Sequence, residues 1–146
     1  MSDTTYIIRP LGAIYGLLEP LTLPFLRVVT GLWLVPHGWG KLMGGMGGTA
    51  EFLGSVGFTP GWFWAWAIAL TEVVGGLLLA VGLFTRPAAF DILIFMLNAA
   101  AFHGAKGFLW SNGGWEYPAM WAALALVFVI RGGGFLSVDR AIGREF

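Results

Sequence analysis

The sequence contains no cysteine, which excludes disulfide scaffolds, thiol redox chemistry and cysteine-bound metal centres. It also contains few charges, because 11% of its residues are Asp, Glu, Lys or Arg, whereas a soluble domain carries about 25%. Eight basic and eight acidic residues cancel, so there is no basic surface of the kind that binds nucleic acid. So few charges cannot cover the surface of a soluble fold, and the composition indicates a membrane protein in contact with the lipid bilayer.

The chain has long apolar stretches instead, and 58% of its residues are hydrophobic. A helix needs about 20 mostly apolar residues to cross the hydrocarbon layer. We therefore predict an all-α, multi-pass membrane protein, with a bundle of four transmembrane helices within residues 21–140. A surface segment or short interfacial helix over residues 1–20 precedes this domain, and a short cytoplasmic tail over residues 141–146 follows it. The predicted helices cover residues 21–43, 61–84, 87–108 and 116–135.

The basic residues near the helix ends predict the orientation, since cytoplasmic loops carry an excess of Lys and Arg. With the N-terminus inside, Lys41 and Lys106 lie on the outer side. Loops 44–60 and 109–116 are then also outside, and both termini are inside. The basic residues on the cytoplasmic side would be Arg9, Arg86, Arg131, Arg140 and Arg144.

The two predicted outer loops resemble one another. Each has a His-Gly pair, a lysine soon after it, and a Gly-Gly pair before a glutamate. The first segment runs from His37 to Glu51 and the second from His103 to Glu116. This pattern predicts two helical hairpins related by a pseudo-two-fold axis along the membrane normal, and chance similarity in a glycine-rich chain is the alternative.

Several polar residues fall within the predicted helices, where a charge costs roughly 2.5–3.5 kcal/mol and usually faces the bundle interior. At 1.5 Å per residue, His37 and His103 lie at similar depth in the outer half. Lys41 and Asn98 lie near them, with Glu72 beneath. These five residues form either a functional site or a set of polar groups that bond to backbone and water.

A second polar group is predicted nearer the inner side. Arg27 lies at a depth where Asp91 or Glu72 could neutralise its charge. We interpret Arg27 and Asp91 as a structural ion pair that holds the bundle together, with Glu72 as the other possible partner of Arg27.

Several runs in the sequence resemble the DoxX family, and together they cover nearly everything from residue 22 to 140. The outer-loop residues that take part are Glu51, Asn112, Glu116 and Tyr117. The resemblance implies a four-helix protein of the bacterial cytoplasmic (inner) membrane. Members often carry an oxidoreductase label, and relatives form membrane subunits of a thiosulfate:quinone oxidoreductase. The matching runs are residues 26–31, 37–42, 50–53, 72–76, 82–86, 111–118 and 136–139.

The first functional hypothesis is a quinone-reactive subunit that receives electrons from a partner redox protein or larger complex. His37 and His103 would donate hydrogen bonds to the quinone carbonyls, because the histidine pKa lies near neutral pH. Lys41 or Glu72 would relay protons. The residues predicted to contact the cofactor are His37, His103, Asn98, Trp33 and Trp39.

Two alternatives remain open. The first is a haem b whose iron has a histidine ligand on each face of the ring. This requires at least two histidines at one depth, as His37 and His103 are predicted to be. A non-catalytic accessory or scaffold subunit, docking a partner through loops 44–60 and 109–116, needs no cofactor. We predict no metal site, and a homo-oligomer is compatible with each hypothesis. The tryptophans Trp33 and Trp39 either belong to an interfacial belt or wall a flat aromatic ligand.

Overall fold

The computed structural model describes residues 7–146, and these residues form helices and turns without a β-strand. The predicted all-α class is therefore confirmed. The predictions for residues 1–6 lie outside the described residues. The helices are α1 (Arg9–Gly40), α2 (Met46–Ser55), α3 (Gly61–Leu70), α4 (Gly76–Val81), α5 (Thr85–His103), α6 (Glu116–Arg131) and α7 (Val138–Ala141).

Helix α1 is longer than predicted. It starts with a proline in its first turn, where the missing N–H costs nothing, and it contains Pro20, Pro24 and Pro36 without a break. The predicted boundary at residue 21 is therefore not a helix boundary. The segment Lys41–Gly45 joins α1 to α2; it has π-helical hydrogen bonding but is kinked at Gly44, whose φ of 148° is not helical. The predicted loop 44–60 is mostly helix α2 for this reason.

Helices α3 and α4 form one continuous segment through a second π-helical turn at Thr71–Gly75. Its predicted start at Gly61 is confirmed. The segment ends at Val81 rather than at residue 84, because Gly82 takes the left-handed conformation (φ 73°) that commonly closes a helix.

Helices α5 and α6 form a hairpin. Short 3-10 turns at Gly104–Lys106 and Trp110–Asn112 connect them. Helix α5 ends before the predicted residue 108, and α6 ends before the predicted residue 135. The chain leaves α6 at Gly132, which has φ 70°.

Three segments are long and apolar enough to cross a membrane: Pro10–Ser55, Gly61–Val81 and Thr85–Lys106. At most 39% of the most apolar part of each is buried, so most of their apolar surface faces outward. An apolar surface of this extent matches lipid rather than water. Helix α6 has 16 residues, about 24 Å, so a fourth crossing stays a prediction.

Glycines bring α1 against the α3–α4 segment. A Cβ on Gly31 would lie 2.3 Å from the carbonyl oxygen of Gly76 and 2.6 Å from the backbone nitrogen of Ala80. A Cβ on Gly76 would lie 2.7 Å from the carbonyl oxygen of Gly31. Small residues let membrane helices approach this closely and gain dispersion contacts, so only glycine fits at Gly31.

Arg27 has other partners than those predicted. It is 2% exposed and donates hydrogen bonds to the carbonyl oxygens of Ala80 at 3.3 Å, of Leu136 at 2.7 Å and of Gly133. The chain after α6 folds back over α4, and its carbonyl oxygens accept hydrogen bonds from the guanidinium N–H groups. We call the end of the bundle that carries Arg27 the arginine end, and the end that carries His37 and His103 the histidine end.

The predicted ion pair of Arg27 with Asp91 is therefore wrong, and so is the alternative pair with Glu72. Asp91 is exposed and accepts a hydrogen bond from the Thr71 hydroxyl at 2.7 Å. Glu72 pairs with Lys41 instead. Depth along the helices alone predicted the wrong partner, because it carried no information about the C-terminal segment.

Asp139 is buried at the arginine end and caps α5. Its carboxylate accepts hydrogen bonds from the backbone N–H groups of Phe84 and Thr85, both at 2.8 Å, and from the Thr85 hydroxyl at 2.7 Å. Burial raises the pKa of Asp139, but these hydrogen bonds and the nearby charge of Arg27 outweigh it, so the pKa lies below its ordinary value.

We expect Gly31→Ala to lower the stability of the protein by about 1–3 kcal/mol, the usual cost of overpacking, because backbone atoms cannot yield to the new methyl group. Thermal unfolding in detergent measures the change. Gly16→Ala is the matched control on α1, since a Cβ at Gly16 meets nothing within 4 Å. An equal loss of stability in both variants would contradict the close helix contact.

We expect Asp139→Asn to lower the thermal midpoint of unfolding. The two carboxylate oxygens of Asp139 accept the three hydrogen bonds from Phe84 and Thr85, whereas an amide has only one acceptor oxygen. The pKa of Asp139 is lower in the folded than in the unfolded state. The difference in stability between wild type and Asp139→Asn is therefore fully present above about pH 4, the ordinary Asp pKa. It disappears as the pH falls through the lower folded-state pKa.

Thermal unfolding in detergent over a pH series measures this difference. Glu145→Gln is the control, because it breaks the exposed pair with Arg86 (3.2 Å), and such pairs contribute about 0–1 kcal/mol. A pH-independent difference between wild type and Asp139→Asn would contradict the assignment.

Candidate functional site

A cavity of about 290 Å³ lies at the histidine end. Side chains from α1, the two π-helical turns, α5 and the α5–α6 connection line it. The apolar lining residues include Leu34, Phe95 and Met96. The structure thus brings the four residues predicted as catalytic around one cavity, and their catalytic roles stay predictions. The polar and aromatic lining residues are His37, Lys41, Glu72, His103, Trp110 and Tyr117.

An ion pair lies in the wall of this cavity. Lys41 Nζ is 2.5 Å from Glu72 Oε2, and it also donates to the His37 carbonyl oxygen at 3.2 Å. Glu72 is 5% exposed, so its carboxylate depends on this partner. Glu72 lies in the π-helical turn Thr71–Gly75, a feature that often occurs at functional sites, and Lys41 begins the kinked segment that joins α1 to α2.

Gly38 explains why this ion pair forms. A Cβ on Gly38 would lie 2.8 Å from the Cβ of Glu72 and 2.9 Å from the carbonyl oxygen of Ala69. The absence of a side chain lets α1 approach the Thr71–Gly75 turn closely. Lys41 follows one turn later and reaches Glu72. The glycine of the first His-Gly pair is thus needed for packing.

His103 is held in one orientation by the loop that follows it. Its Nδ1 lies 2.6 Å from the Gly113 carbonyl oxygen. A carbonyl only accepts, so Nδ1 carries the proton and the neutral ring keeps Nε2 as an acceptor. Gly113 has φ 75°, and a Cβ on Gly114 would lie 2.3 Å from the Gly107 carbonyl oxygen. The Gly-Gly pair therefore shapes the loop that orients His103.

Aromatic rings form one wall of the cavity. The rings of Trp110 and Tyr117 lie 5.1 Å apart at 30°, and Trp110 contacts the His103 ring at 5.5 Å. Glu116 Oε2 accepts the backbone N–H of Trp110 at 3.1 Å, which ties this loop to the start of α6. Of the four predicted outer-loop motif residues, Tyr117 therefore lines the cavity and Glu116 holds the loop that carries Trp110.

The other predicted site residues lie outside the cavity. Asn98 is exposed and donates to the Ile94 carbonyl oxygen at 2.8 Å, while Trp33 and Trp39 are 61% and 54% exposed. None of the three lines the cavity, although the Trp33 ring meets the buried Trp121 ring at 6.4 Å, and their role as cofactor contacts stays a prediction. Two predicted outer-loop residues, Glu51 and Asn112, are also exposed and do not line the cavity.

Sequence reasoning did not name Trp110 as a site residue. It lies in a 3-10 turn within an irregular connection, so no helical periodicity could indicate its direction. The available signal was Tyr117 in the motif of residues 111–118, which begins directly after Trp110, because the two rings belong to one wall.

The predicted repeat does not extend to the local structure. His37 lies within helix α1 and is followed by a helical chain as far as Ser55, whereas His103 ends α5 and is followed by short turns. Gly38 makes a tight helix contact, while a Cβ on Gly104 would meet nothing within 4 Å. The two similar segments therefore contribute to the cavity in different ways.

Outward-facing apolar helices and a polar cavity enclosed at one end define this protein as a helical integral membrane protein. The chain belongs to the DoxX family, whose family model matches residues 22–105. This match covers the two histidines, Lys41 and Glu72.

Two curated relatives support the family assignment. A protein of Bacillus subtilis named "Putative oxidoreductase CatD" is 32% identical over 114 residues, which are 78% of this chain and 81% of that protein. An uncharacterized protein of Haemophilus influenzae is 38% identical over 133 residues, which are 83% of this chain and 90% of that protein. No solved structure matches the chain.

We expect Lys41→Met to lower the stability by about 3 kcal/mol, because it leaves the buried Glu72 carboxylate without its partner. The double variant Lys41→Met/Glu72→Gln should regain most of this loss, since neither remaining group is charged. Thermal unfolding of the single and double variants measures the coupling.

Lys106→Met is the control at the same end of the bundle, because Lys106 is exposed and forms no ion pair with a described residue; its ammonium lies 5.7 Å from the Phe102 ring. Additive losses in the double variant would show that Lys41 and Glu72 do not stabilise one another.

Proposed function

We propose that the protein is the quinone-reactive membrane subunit of a redox system in the bacterial cytoplasmic membrane. The observation that carries this proposal is the cavity at the histidine end, where His37, His103 and the Lys41–Glu72 pair meet an aromatic wall. Its position in a surface of lipid-facing helices supports a substrate that arrives through the membrane.

The size and lining of the cavity fit a quinone head group. A volume of about 290 Å³ lies at the lower end of the range for small-ligand pockets and suits a flat ring system. Phe95 and Met96 offer apolar contacts, and Trp110 and Tyr117 offer aromatic ones. Histidine and lysine supply hydrogen-bond donors for carbonyl oxygens.

The same residues can deliver the protons that the reaction needs. Reduction of a quinone to a quinol consumes two electrons and two protons, and each carbonyl oxygen becomes a hydroxyl. In the imidazolium form His37 and His103 can each donate a proton to a carbonyl oxygen, and in His103 the donor is then Nε2–H, because Nδ1–H is bound to the Gly113 carbonyl oxygen. The Lys41–Glu72 pair borders the cavity and can return a proton to the adjacent histidine.

The electrons must come from a partner redox protein in this proposal. The chain has no cysteine, so it has no ligands for a cysteine-bound cluster. The oxidoreductase label of the Bacillus subtilis relative supports a redox role for the family. The partner would dock at the histidine end, where the α5–α6 connection is exposed beside the cavity.

Haem b is a second candidate, favoured by one observation: both histidines line the same cavity. The hydrogen bond from His103 Nδ1 to Gly113 leaves Nε2 for a metal, the usual arrangement of a ligating histidine. The small volume fits a four-ring macrocycle less well than a quinone head group. Haem bands in a reduced-minus-oxidised spectrum of protein grown with haem would favour this candidate.

The test of the proposal is binding of menadione to the full-length protein in lipid nanodiscs. We expect binding that saturates, and we expect His103→Phe, His37→Phe and Trp110→Leu each to weaken it about tenfold, or 1.4 kcal/mol. Each variant removes a hydrogen bond to the ligand or a ring contact. Ligand-induced stabilisation against heat measures the affinity.

Trp62→Leu is the matched control, because Trp62 is 64% exposed on α3 and does not line the cavity. Turnover of the complex with quinone in native membranes should fall in the histidine variants at normal expression. Absence of menadione binding to the wild type would overturn the proposal in favour of a non-catalytic accessory subunit, whose exposed Glu51 and Asn112 would be available to a partner.

A further inference from the structure

A second cavity lies at the arginine end, between the end of α4 and the chain that follows α6. It has a volume of about 360 Å³ and is open to the outside. Val81 lines it and is the last residue of the membrane-crossing segment Gly61–Val81. The ends of such a segment lie near the headgroups, because about 20 residues match the thickness of the hydrocarbon layer. The cavity therefore opens where the acyl chains meet the headgroups.

The walls of this cavity are apolar and exposed. Val81, Leu136 and Val138 all line it, and all three are exposed. Leu136 and Val138 lie outside the three membrane-crossing segments, so they face water unless an apolar ligand covers them. An acyl chain that runs beside α4 through the hydrocarbon layer reaches this wall without leaving the membrane.

Arg140 is the charged residue among the side chains that line the cavity. It is exposed and forms no ion pair with a described residue. Its guanidinium lies 5.7 Å from the centre of the Phe135 ring, which also lines the cavity. A cation–π contact of this kind restricts the side chain while its N–H donors stay available. Such donors bind phosphate oxygens, often two at a time.

The charges around Arg140 favour an anion. Two carboxylates lie in the same C-terminal segment, and both have other partners. Asp139 accepts hydrogen bonds from the start of α5, and Glu145 pairs with Arg86 at 3.2 Å. Arg144 is exposed and forms no ion pair with a described residue either. Positive charge therefore exceeds negative charge on this surface, which suits an anionic headgroup.

We propose that this cavity binds an anionic phospholipid. Its phosphate accepts hydrogen bonds from the Arg140 guanidinium, and one acyl chain lies along Val81 and Val138. Arg140 directly follows Asp139 in α7; Asp139 is buried and caps α5, whereas Arg140 is exposed. A lipid held by Arg140 therefore also holds α7 in the position from which Asp139 caps α5. The lipid site is independent of the quinone cavity proposed at the other end of the bundle.

The test is stabilisation of the full-length protein by added phospholipid, after removal of native lipid in dodecyl maltoside at physiological ionic strength. We expect phosphatidylglycerol to raise the thermal midpoint at lower concentrations than phosphatidylcholine with the same acyl chains, because the phosphatidylcholine headgroup has no net charge. Arg140→Gln should weaken phosphatidylglycerol binding about tenfold, the effect of losing hydrogen bonds between charged groups. Native mass spectrometry should show fewer bound phosphatidylglycerol molecules in this variant.

Two variants are matched controls. Arg144→Gln removes an exposed arginine from the same end, and this arginine does not line the cavity. Lys106→Gln removes the cation that lies 5.7 Å from the Phe102 ring at the histidine end. Both variants should bind phosphatidylglycerol nearly as well as the wild type, because salt screens exposed charges that do not touch the ligand.

Phe135→Leu is a second variant of the site, and it decides the matter if Arg140→Gln lowers the thermal midpoint without lipid. It keeps Arg140 and the apolar wall but removes the ring over which the guanidinium lies. We expect it to weaken phosphatidylglycerol binding about threefold, the usual effect of a lost cation–π contact.

Absence of stabilisation by phosphatidylglycerol would overturn the proposal, and so would three other results. Equal losses in Arg140→Gln and Arg144→Gln would show that diffuse positive charge attracts the lipid. Equal stabilisation by the two phospholipids would show that the headgroup charge plays no part. Stabilisation by inorganic phosphate as strong as that by phosphatidylglycerol at the same concentration would indicate a free-anion site without an acyl chain.

Discussion

The close approach of α1 to the α3–α4 segment is the constraint on which the rest of the structure depends. Backbone atoms of Gly31 and Gly76 meet near the middle of the bundle, and Gly38 meets the turn that carries Glu72. In a lipid environment the hydrophobic effect does not hold helices together, so dispersion contacts at glycine faces must do so. The same contact sets the distance between Lys41 and Glu72, and thereby couples packing to the polar site.

The two ends of the bundle use their polar groups differently. At the arginine end the buried donors and acceptors are saturated within the chain: Arg27 binds three backbone carbonyls and Asp139 caps α5. At the histidine end the Lys41–Glu72 pair and His103 are anchored on one side only, and they border a cavity. A saturated cluster stabilises a fold, whereas polar groups held beside a cavity can act on a ligand. The arginine end also has a cavity, of about 360 Å³, but mostly apolar side chains line it, so the basis for assigning function to the histidine end is the set of polar and aromatic groups that border its cavity.

The fold class and part of the candidate functional site could be predicted from the sequence. The low charge and the long apolar runs indicated membrane helices, and the depth of His37 and His103 placed them together with Lys41 and Glu72. Depth along a helix is a one-dimensional quantity, however, and it does not report direction around the helix axis. For this reason Asn98, Trp33 and Trp39 lie at suitable depths without lining the cavity. The Arg27–Asp91 prediction failed because depth does not report the C-terminal segment, which supplies partners of Arg27.

The sequence by itself determined the apolar helices, the glycines at which they touch and the small set of polar residues inside them, because composition and periodicity are local properties. Only the tertiary structure decided which of these residues meet. The close approach of α1 at Gly38 brings Lys41 to Glu72, and an irregular loop brings Trp110 and the Gly113 carbonyl to His103. The chain after α6 supplies the partners of Arg27. These contacts join residues far apart in the chain through turns without regular periodicity, so no spacing in the sequence encodes them.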